Sequence, residues 1–283
     1  MLARLFVTLQ YLLPKHWLTA IVYRIARSKS PPIKDFLIRR FVQLYDVDVE
    51  EVRGTVPDDF ASLNEFFIRE LADDARPVDG NPRSIVSPVD GTVSQAGAIA
   101  AGTVWQAKGL HYSLDDLLAT DLDNARAYVG GSFATIYLAP YNYHRVHSAF
   151  AGEIEAIHYV PGDLFSVNAA TVSRIPGLFR RNERLILHFS TPFGPGVQIF
   201  VGALNVGSIS TPWTGEVRPR KSGVVELLGF NEAPRKVNKG DLLGWFNMGS
   251  TVIVLFPAGV CEWDAALVPG STLRMGEAIG QLK

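Results

Sequence analysis

The sequence predicts an α+β fold in which an N-terminal helical region precedes a β-rich body. Over residues 1–72, apolar residues recur at the spacing of three and four that is typical of amphipathic helices. Beyond residue 87, short apolar or alternating runs are separated by Gly and Pro turns, which is typical of strands. The chain has 283 residues, of which 47% are hydrophobic, enough for a large core. We therefore predict a helical region over 1–72 and a β-rich domain over 73–283.

Local signals define several elements inside this division. Ser62 with Glu65 forms a capping box that predicts a helix over Leu63–Leu71. Ser113 is a predicted cap for a short helix over Leu114–Leu118. Strands are predicted at Ala134–Leu138, Glu153–Val160, Arg184–Phe189, Val197–Val206, Val224–Leu228 and Thr251–Phe256.

The N-terminal region is amphipathic and basic. Residues 1–45 contain eight Lys or Arg and one acid, a charge of +7. No apolar run reaches the roughly 20 residues that a membrane-spanning helix needs, and no small-residue cleavage site indicates a removed signal peptide. Basic amphipathic helices with aromatic residues on the apolar side lie in the interface of anionic membranes. The sequence therefore predicts an N-terminal amphipathic helical membrane-binding region, the alternative being helices packed on their own domain.

Charge and cysteine content exclude two classes of protein. The net charge of the whole chain is −1, which argues against a general nucleic-acid binder. Cys261 is the single cysteine, so an internal disulfide framework is excluded and a reducing compartment is favoured.

Four side chains are candidates for chemistry: Asp90 in a Pro-Val-Asp-Gly turn, His144 and His147 at a spacing of three, and Ser250 directly after Gly249. Each alone has an ordinary structural interpretation as a turn former or a hydrogen-bonded histidine. Together they supply an acid, an imidazole and a hydroxyl, the groups needed to activate a serine. Ser250 lacks the second glycine of a nucleophile elbow. Its hydroxyl is instead adjacent in sequence to the Gly249 carbonyl, which it could attack.

The residues alone leave three other functions open. A serine hydrolase acting on lipids would use the same acid, imidazole and hydroxyl on an intact chain. A metal-dependent enzyme would use Asp90, His144 and His147 as ligands. A non-enzymatic membrane-bound β module would need none of them.

Motifs along nearly the whole chain resemble those of the phosphatidylserine decarboxylases, in particular the bacterial membrane-associated type. The one departure is Met248, where the family usually has Leu, and the two side chains have similar volume. The motifs are Leu13-Pro-Lys-His-Trp-Leu, Leu63-Asn-Glu-Phe-Phe-Ile-Arg, Ser87-Pro-Val-Asp-Gly-Thr-Val, Tyr143-His-Arg-Val-His, Pro161-Gly-Asp-Leu-Phe-Ser-Val-Asn, Val201-Gly-Ala-Leu-Asn-Val-Gly-Ser-Ile and Gly249-Ser-Thr-Val.

The resemblance implies a zymogen that cuts itself between Gly249 and Ser250. It implies a large chain, 1–249, and a small chain, 250–283, which begins with a pyruvoyl group derived from Ser250. Asp90 and His147 are the residues that activate Ser250 by motif, and His144 is a candidate for handling the substrate. The pyruvoyl group forms a Schiff base with phosphatidylserine and releases phosphatidylethanolamine, a step of phospholipid biosynthesis. No metal and no added cofactor are expected.

The resemblance also implies partners and a location. The expected partners are phosphatidylserine, a membrane surface and the two chains of one precursor, with homo-oligomerisation left open and no nucleic acid. The expected location is peripheral, on the cytoplasmic face of the bacterial inner membrane.

Overall fold

The computed structural model describes residues 2–107, 109–119 and 125–283. The helices are α1 (Leu2–Leu12), α2 (Lys15–Ala26), α3 (Pro31–Tyr45), α4 (Leu63–Phe67), α5 (Leu114–Leu118), α6 (Ala169–Val172) and α7 (Leu178–Arg181). The strands are β1 (Ser84–Val86), β2 (Gly91–Ala98), β3 (Thr103–Ala107), β4 (Leu110–Ser113), β5 (Ser132–Leu138), β6 (Arg145–His147), β7 (Gly152–Val160), β8 (Arg184–Thr191), β9 (Gly194–Val201), β10 (Ile209–Thr211), β11 (Gly215–Val217), β12 (Glu226–Leu227), β13 (Lys236–Val237), β14 (Leu242–Phe246), β15 (Ser250–Phe256), β16 (Cys261–Trp263), β17 (Thr272–Leu273) and β18 (Ala278–Leu282).

A nine-stranded sheet forms the body, and the predicted α+β class is confirmed. Its strand order is β12-β7-β8-β9-β15-β5-β2-β17, with β13 also pairing with β7. Smaller sheets have the orders β11-β10-β14-β6, β1-β18-β16 and β3-β4. The main hydrophobic core lies within this body, and a second cluster of buried apolar residues joins α3 and α4 to residues 47–60.

The strand after Gly249 lies at the centre of the large sheet. Every residue of β15 is buried, and β15 pairs antiparallel with β5 on one side and β9 on the other. The later strands are also paired with earlier ones, β17 with β2 and β18 with β1. A chain of residues 250–283 would therefore stay bound to residues 1–249 by backbone hydrogen bonds and buried apolar surface after a cut at Gly249.

Several predicted boundaries differ from the structure. The helix predicted over Leu63–Leu71 ends at Phe67, because residue 71 forms a β-bridge with Val52 instead. The strand predicted to reach Val206 ends at Val201, and only Glu226–Leu227 of the predicted Val224–Leu228 is a strand. Tertiary pairing overrides local propensity in these segments. The caps are confirmed: the hydroxyls of Ser62 and Ser113 accept hydrogen bonds from the amides of Glu65 and Asp116.

The first two helices bury Val7 and Ala26 together with several polar side chains, and they leave large apolar side chains exposed. Gln10, Lys15 and Thr19 are buried, whereas Leu12 is 79% exposed and Trp17 is 63% exposed. Gln10 bonds to Ser166 and Thr171, and Lys15 forms an ion pair with Asp163 at 3.0 Å. An ordinary surface helix buries its large apolar side chains, so their exposure on α1 and α2 is unusual. Among the described residues, no helix has the length and apolar character needed to cross a bilayer.

Glu183 is a buried acid whose ionisation makes stability depend on pH. Desolvation raises its pKa to about 8, and its Oε2 accepts a hydrogen bond from the Tyr159 hydroxyl at 2.8 Å. In the unfolded chain a glutamate has a pKa of about 4.3. The folded state therefore retains a proton that the unfolded state releases, and stability falls as pH rises from about 4 towards 8.

We predict that Glu183→Gln removes this pH-dependent loss of stability. The difference in melting temperature between the variant and the wild type should shift in favour of the variant from about pH 5 to about pH 8. The shift corresponds to a few kcal/mol of unfolding free energy at most. Thermal melts at both pH values measure it. An offset between the two proteins that is the same at both pH values would contradict the assigned ionisation.

Candidate active site

The segment before Ser250 is held by a buried polar network. The Asn247 amide nitrogen donates to the hydroxyls of Ser208 at 2.8 Å and Ser210 at 2.9 Å, and its oxygen accepts from Asn64 of α4 at 3.1 Å. Asn247 itself is 2% exposed. Because β15 holds the other side, the two residues between Asn247 and Ser250 are fixed at both ends.

Those two residues have unusual backbone angles. Met248 has φ = 152° and Gly249 has φ = 38°. A methionine in this region is strained, since the conformation brings its Cβ against its own backbone. Gly249 adopts a positive φ without that penalty. The peptide that precedes Ser250 is thus part of a locally strained joint between two rigid anchors.

The Ser250 hydroxyl is buried at a cavity beside this joint. Ser250 is 1% exposed, and among the described residues its Oγ has no hydrogen-bond partner. The cavity has a volume of about 240 Å³. A buried hydroxyl without a partner costs stability, and here it lies beside the strained peptide, where its oxygen is free to react. The lining residues are Phe41, Tyr45, Phe67, Tyr137, Leu138, Pro140, Ser166, Val167, Asn168, Ala203, Leu204, Asn205, Met248, Gly249 and Ser250.

His144 is the histidine placed against Gly249. Its Nδ1 donates to the Asn142 carbonyl at 2.7 Å, so in the neutral ring Nε2 carries the free lone pair. Nε2 is buried without a partner in the described part of the chain, and it lies 3.9 Å from the point where a Cβ on Gly249 would be. Desolvation, helped by the charge of Arg69, lowers the pKa of His144 to about 3. The ring packs on Phe67 with centroids 4.0 Å apart.

His147 is held in a different set of contacts. Its Nδ1 donates to the Gly240 carbonyl at 2.8 Å, and its Nε2 accepts from the Tyr143 hydroxyl at 3.0 Å. Burial lowers its pKa, while the carboxylates of Asp90 and Asp241 raise it. His147 therefore has a carboxylate in its surroundings that would favour its protonated form, which His144 lacks.

Asp90 is buried in an ion pair. Its carboxylate accepts from Arg76 Nε at 2.8 Å and Nη2 at 2.6 Å, and from the Met275 amide at 2.8 Å. Arg76 also binds Glu51 at 2.7 Å. The opposite charge and the amide donor hold Asp90 in place, close enough to influence His147 without a direct hydrogen bond.

The structure thus brings the predicted residues to one region but does not join them by hydrogen bonds. His144 and Ser250 flank Gly249, whereas His147 bonds to Tyr143 and Asp90 to Arg76. In the part of the chain that is described, no three His, Cys, Asp or Glu side chains are grouped as metal ligands. The roles assigned to these residues from the sequence remain predictions.

Some residues of the site carried no signal in the sequence. The clamp formed by Asn247, the strained Met248 and the Arg76 partner of Asp90 depend on contacts between distant segments. Arg69 belongs to a motif that was noted only for its resemblance, yet it is 4% exposed and donates to the Tyr141 carbonyl at 3.0 Å beside His144.

The segments that carry the strained glycine-serine peptide and His144 match a known protein family. The family model described as phosphatidylserine decarboxylase matches residues 63–281, and a further one described as PSD matches residues 5–46. The chain belongs to the phosphatidylserine decarboxylase family. Residues 63–281 include every residue that lines the cavity except Phe41 and Tyr45 of α3.

Individual members of the phosphatidylserine decarboxylase family match over nearly the full length. A protein of Alcanivorax borkumensis is 46% identical over 278 residues, covering 98% of this chain and 96% of the relative. One of Azotobacter vinelandii is 44% identical over 281 residues, covering 98% of each chain, and one of Saccharophagus degradans is 43% identical over 279 residues, covering 99% and 98%. All three are named phosphatidylserine decarboxylase proenzyme.

Proposed function

We propose that this protein is a self-processing decarboxylase that cuts itself between Gly249 and Ser250 and then converts phosphatidylserine to phosphatidylethanolamine at a membrane surface. The observation that carries the proposal is the Ser250 hydroxyl, which is buried without a partner beside a strained peptide at a cavity. The names of the relatives, which describe proenzymes acting on phosphatidylserine, support the substrate.

Self-cleavage starts when Ser250 Oγ attacks the Gly249 carbonyl carbon. The peptide nitrogen of Ser250 becomes an amine, and the main chain continues through an ester. Loss of the Ser250 α-proton then expels the Gly249 carboxylate and leaves dehydroalanine, which water converts to a ketone with release of ammonia. The fixed ends of the joint hold the hydroxyl next to the carbonyl, and positioning of this kind contributes about 7–11 kcal/mol to lowering a barrier.

Asp90 and His147 serve as the base system of this step. A general base is most effective when its pKa is near the working pH. Burial lowers the pKa of both histidines, but His147 also has the Gly240 carbonyl and the carboxylates of Asp90 and Asp241 to favour its protonated form. Asp90 thus stabilises the imidazolium that forms when His147 takes the Ser250 proton, and His147 has to give up its contact with Tyr143 to do so.

Residue 250 is suited to carry the pyruvoyl group after the cut. Its side chain is at the cavity, its oxygen is not committed to another group, and β15 keeps residue 251 in the sheet. A pyruvoyl ketone condenses with a primary amine and accepts the electron pair that is left when CO₂ departs. The rest of the chain has to bind the amine, exclude water and move protons.

His144 is the proton carrier for the decarboxylation. Its Nε2 faces the joint with a free lone pair, and its neutral form dominates because of burial. An anionic headgroup in the cavity would raise the pKa of this imidazole. His144 then takes a proton from the substrate ammonium and returns it to the carbon that has lost CO₂.

The cavity surrounds the substrate carboxylate with neutral groups. None of the residues that line it within the described chain carries a formal charge, and Ser166, Asn168 and Asn205 supply hydrogen-bonding groups. A carboxylate transferred there from water loses hydration, and its charge disperses as CO₂ leaves. The surroundings thus favour the decarboxylated state over the bound carboxylate.

Membrane-facing helices frame this cavity. Phe41 and Tyr45 of α3 line it, Gln10 of α1 bonds to Ser166 on its wall, and Thr19 of α2 accepts a bond from the Asn205 amide at 3.2 Å. Large apolar side chains of α1 and α2, among them Leu12 and Trp17, are exposed on the outside of the body. A diacyl lipid leaves a bilayer at a cost of about 0.8 kcal/mol per CH₂, so an enzyme acting on it gains by bringing its cavity to the interface.

We predict that Leu12→Gln with Trp17→Gln weakens binding to vesicles by about 10- to 100-fold, because full burial of each such side chain is worth about 1.5–3 kcal/mol and an interfacial helix buries each of them about halfway. Val268→Gln is the matched control, since Val268 is 51% exposed on the β-rich body. Flotation with vesicles measures both variants. Equal binding by the double variant and the control would contradict insertion of α1 and α2.

Intact-mass spectrometry of the purified active protein tests self-cleavage. We expect two chains, 1–249 and 250–283, whose summed mass exceeds that of the precursor by one water gained less one ammonia lost. The small chain should react with a carbonyl reagent at its first residue. An active enzyme that remains a single chain with an intact Ser250 would overturn the proposal.

A further inference from the structure

A second cavity lies on the flank of α2, away from Ser250. Its volume is about 190 Å³. Five positions of α2 that share one side of the helix line it, together with the segment that follows β11. The lining residues are His16, Thr19, Ala20, Tyr23, Arg24, Gly207, Arg218 and Pro219.

Positive charge is in excess around this cavity. The Glu216 carboxylate forms ion pairs with Arg27 at 2.7 Å and with Arg218 at 3.7 Å, so two cations share one carboxylate. Arg24 and Lys221 have no hydrogen-bond or ion-pair partner among the described residues. The charge of Lys221 reaches the cavity, because it lowers the pKa of His16. Asp163 also acts on His16 but is paired with Lys15, so five cations and two acids lie around this cavity.

Exposed apolar side chains accompany these cations along the chain. On α2, Trp17 is 63% exposed and lies seven residues before Arg24, which places both on one side of the helix. In the segment that follows Arg218, Val224 is 76% exposed and Leu227 is 68% exposed. Cations accompanied by exposed apolar side chains are the arrangement found at the headgroup level of a bilayer.

We propose that this cavity binds the phosphate group of an anionic phospholipid, distinct from the substrate in the Ser250 cavity. Arg24 and Arg218 supply guanidinium forks suited to phosphate oxygens, and Lys221 adds a point charge. The exposed Trp17 of α2 enters the acyl region. The inference rests on the proposed membrane association and extends it from a general attraction to a defined site.

The site is coupled in space to the catalytic cavity. Thr19 of α2 lies on the wall of the lipid cavity, and its hydroxyl accepts a hydrogen bond from the Asn205 backbone amide. Asn205 in turn lines the cavity of Ser250. Gly207 approaches Tyr23 so closely that a Cβ at this position would be 2.7 Å from the ring. A lipid held here would fix the loop over residues 203–207 and orient the catalytic cavity towards the same bilayer.

Vesicle flotation with Arg24→Gln tests the site, using phosphatidylcholine alone and phosphatidylcholine with phosphatidylglycerol, which is anionic but not a substrate. Arg39→Gln is the matched control, because Arg39 is an exposed α3 arginine without a partner in the described chain. We expect about a fivefold loss of affinity for anionic vesicles in the control, the effect of one general charge. Arg24→Gln should lose about 30-fold or more. Arg24→Lys, which keeps the charge but not the fork, should fall between these values.

Further experiments distinguish this site from general electrostatic attraction, from a site for free phosphate and from an absence of membrane binding. Equal losses for Arg24→Gln and Arg39→Gln would overturn the site and leave only general attraction. Calorimetric titration with inorganic phosphate in the absence of lipid should give no binding that depends on Arg24, and binding there would assign the site to a free phosphate. Failure of the wild type to bind any vesicle would instead overturn the membrane association itself. Arg24→Gln should keep full activity on detergent-dispersed phosphatidylserine, which separates the site from the decarboxylation.

Discussion

Ser250→Ala is expected to remain a single chain and to have no measurable decarboxylase activity. The variant lacks the oxygen that attacks Gly249, and it cannot form the ketone at residue 250. Because one group serves both steps, the losses are complete and simultaneous rather than graded. Denaturing electrophoresis and intact-mass spectrometry measure the first loss, and release of CO₂ from labelled phosphatidylserine measures the second.

Thr251→Val is the matched control for this variant. Thr251 is the next residue of β15, its hydroxyl is also buried without a partner among the described residues, and valine keeps its shape. We expect the control to cleave and to decarboxylate like the wild type. Cleavage or activity in Ser250→Ala would show that another nucleophile or another electrophilic group is used.

His147→Ala and His144→Ala are expected to fail at different steps. His147→Ala should accumulate as the uncut chain, with cleavage slowed by about 10²–10⁴-fold for loss of a general base. His144→Ala should cleave but lose a similar factor in decarboxylation, because the proton carrier beside residue 250 is absent. A time course of cleavage and a turnover assay on the cleaved material separate the two effects.

Added imidazole distinguishes lost chemistry from lost folding in these variants. It should restore cleavage to His147→Ala, and circular dichroism should show an unchanged strand content. His158→Ala serves as the control, since His158 packs on His188 with ring centroids 5.1 Å apart and has no role in the proposal. An uncut His144→Ala would instead make His144 the base for Ser250, consistent with its position beside Gly249.

Elements with local signals could be predicted without coordinates. The hydroxyls of Ser62 and Ser113 cap the helices that follow them, because a cap depends on atoms only a few residues apart. The buried strand Ser250–Phe256 was predicted from its β-branched apolar run to within one residue. The strand predicted to reach Val206 was too long, because the register of β9 with β15 ends at Val201.

The residues of the candidate site could likewise be predicted from the sequence, but their arrangement could not. Asp90, His144, His147 and Ser250 were identified from residue types and motifs, which state what chemistry a side chain can perform. Their relative placement was not available from the sequence, since the segments that carry them are far apart in the chain. The ion pair of Asp90 with Arg76 and the bond of His147 to Tyr143 appear only in the folded structure.

The α+β class, the basic amphipathic N-terminus, the family and the glycine-serine joint could be inferred from the amino-acid sequence, because these depend on composition, periodicity and contiguous motifs. The folded structure was needed to show that Met248 and Gly249 have positive φ, that His144 faces the joint with a free Nε2, and that α1 and α2 leave large apolar side chains exposed. Strain, burial and the direction of a helix face arise from contacts between distant segments. Such contacts follow from the packing of the whole chain and are not encoded in any single stretch of it.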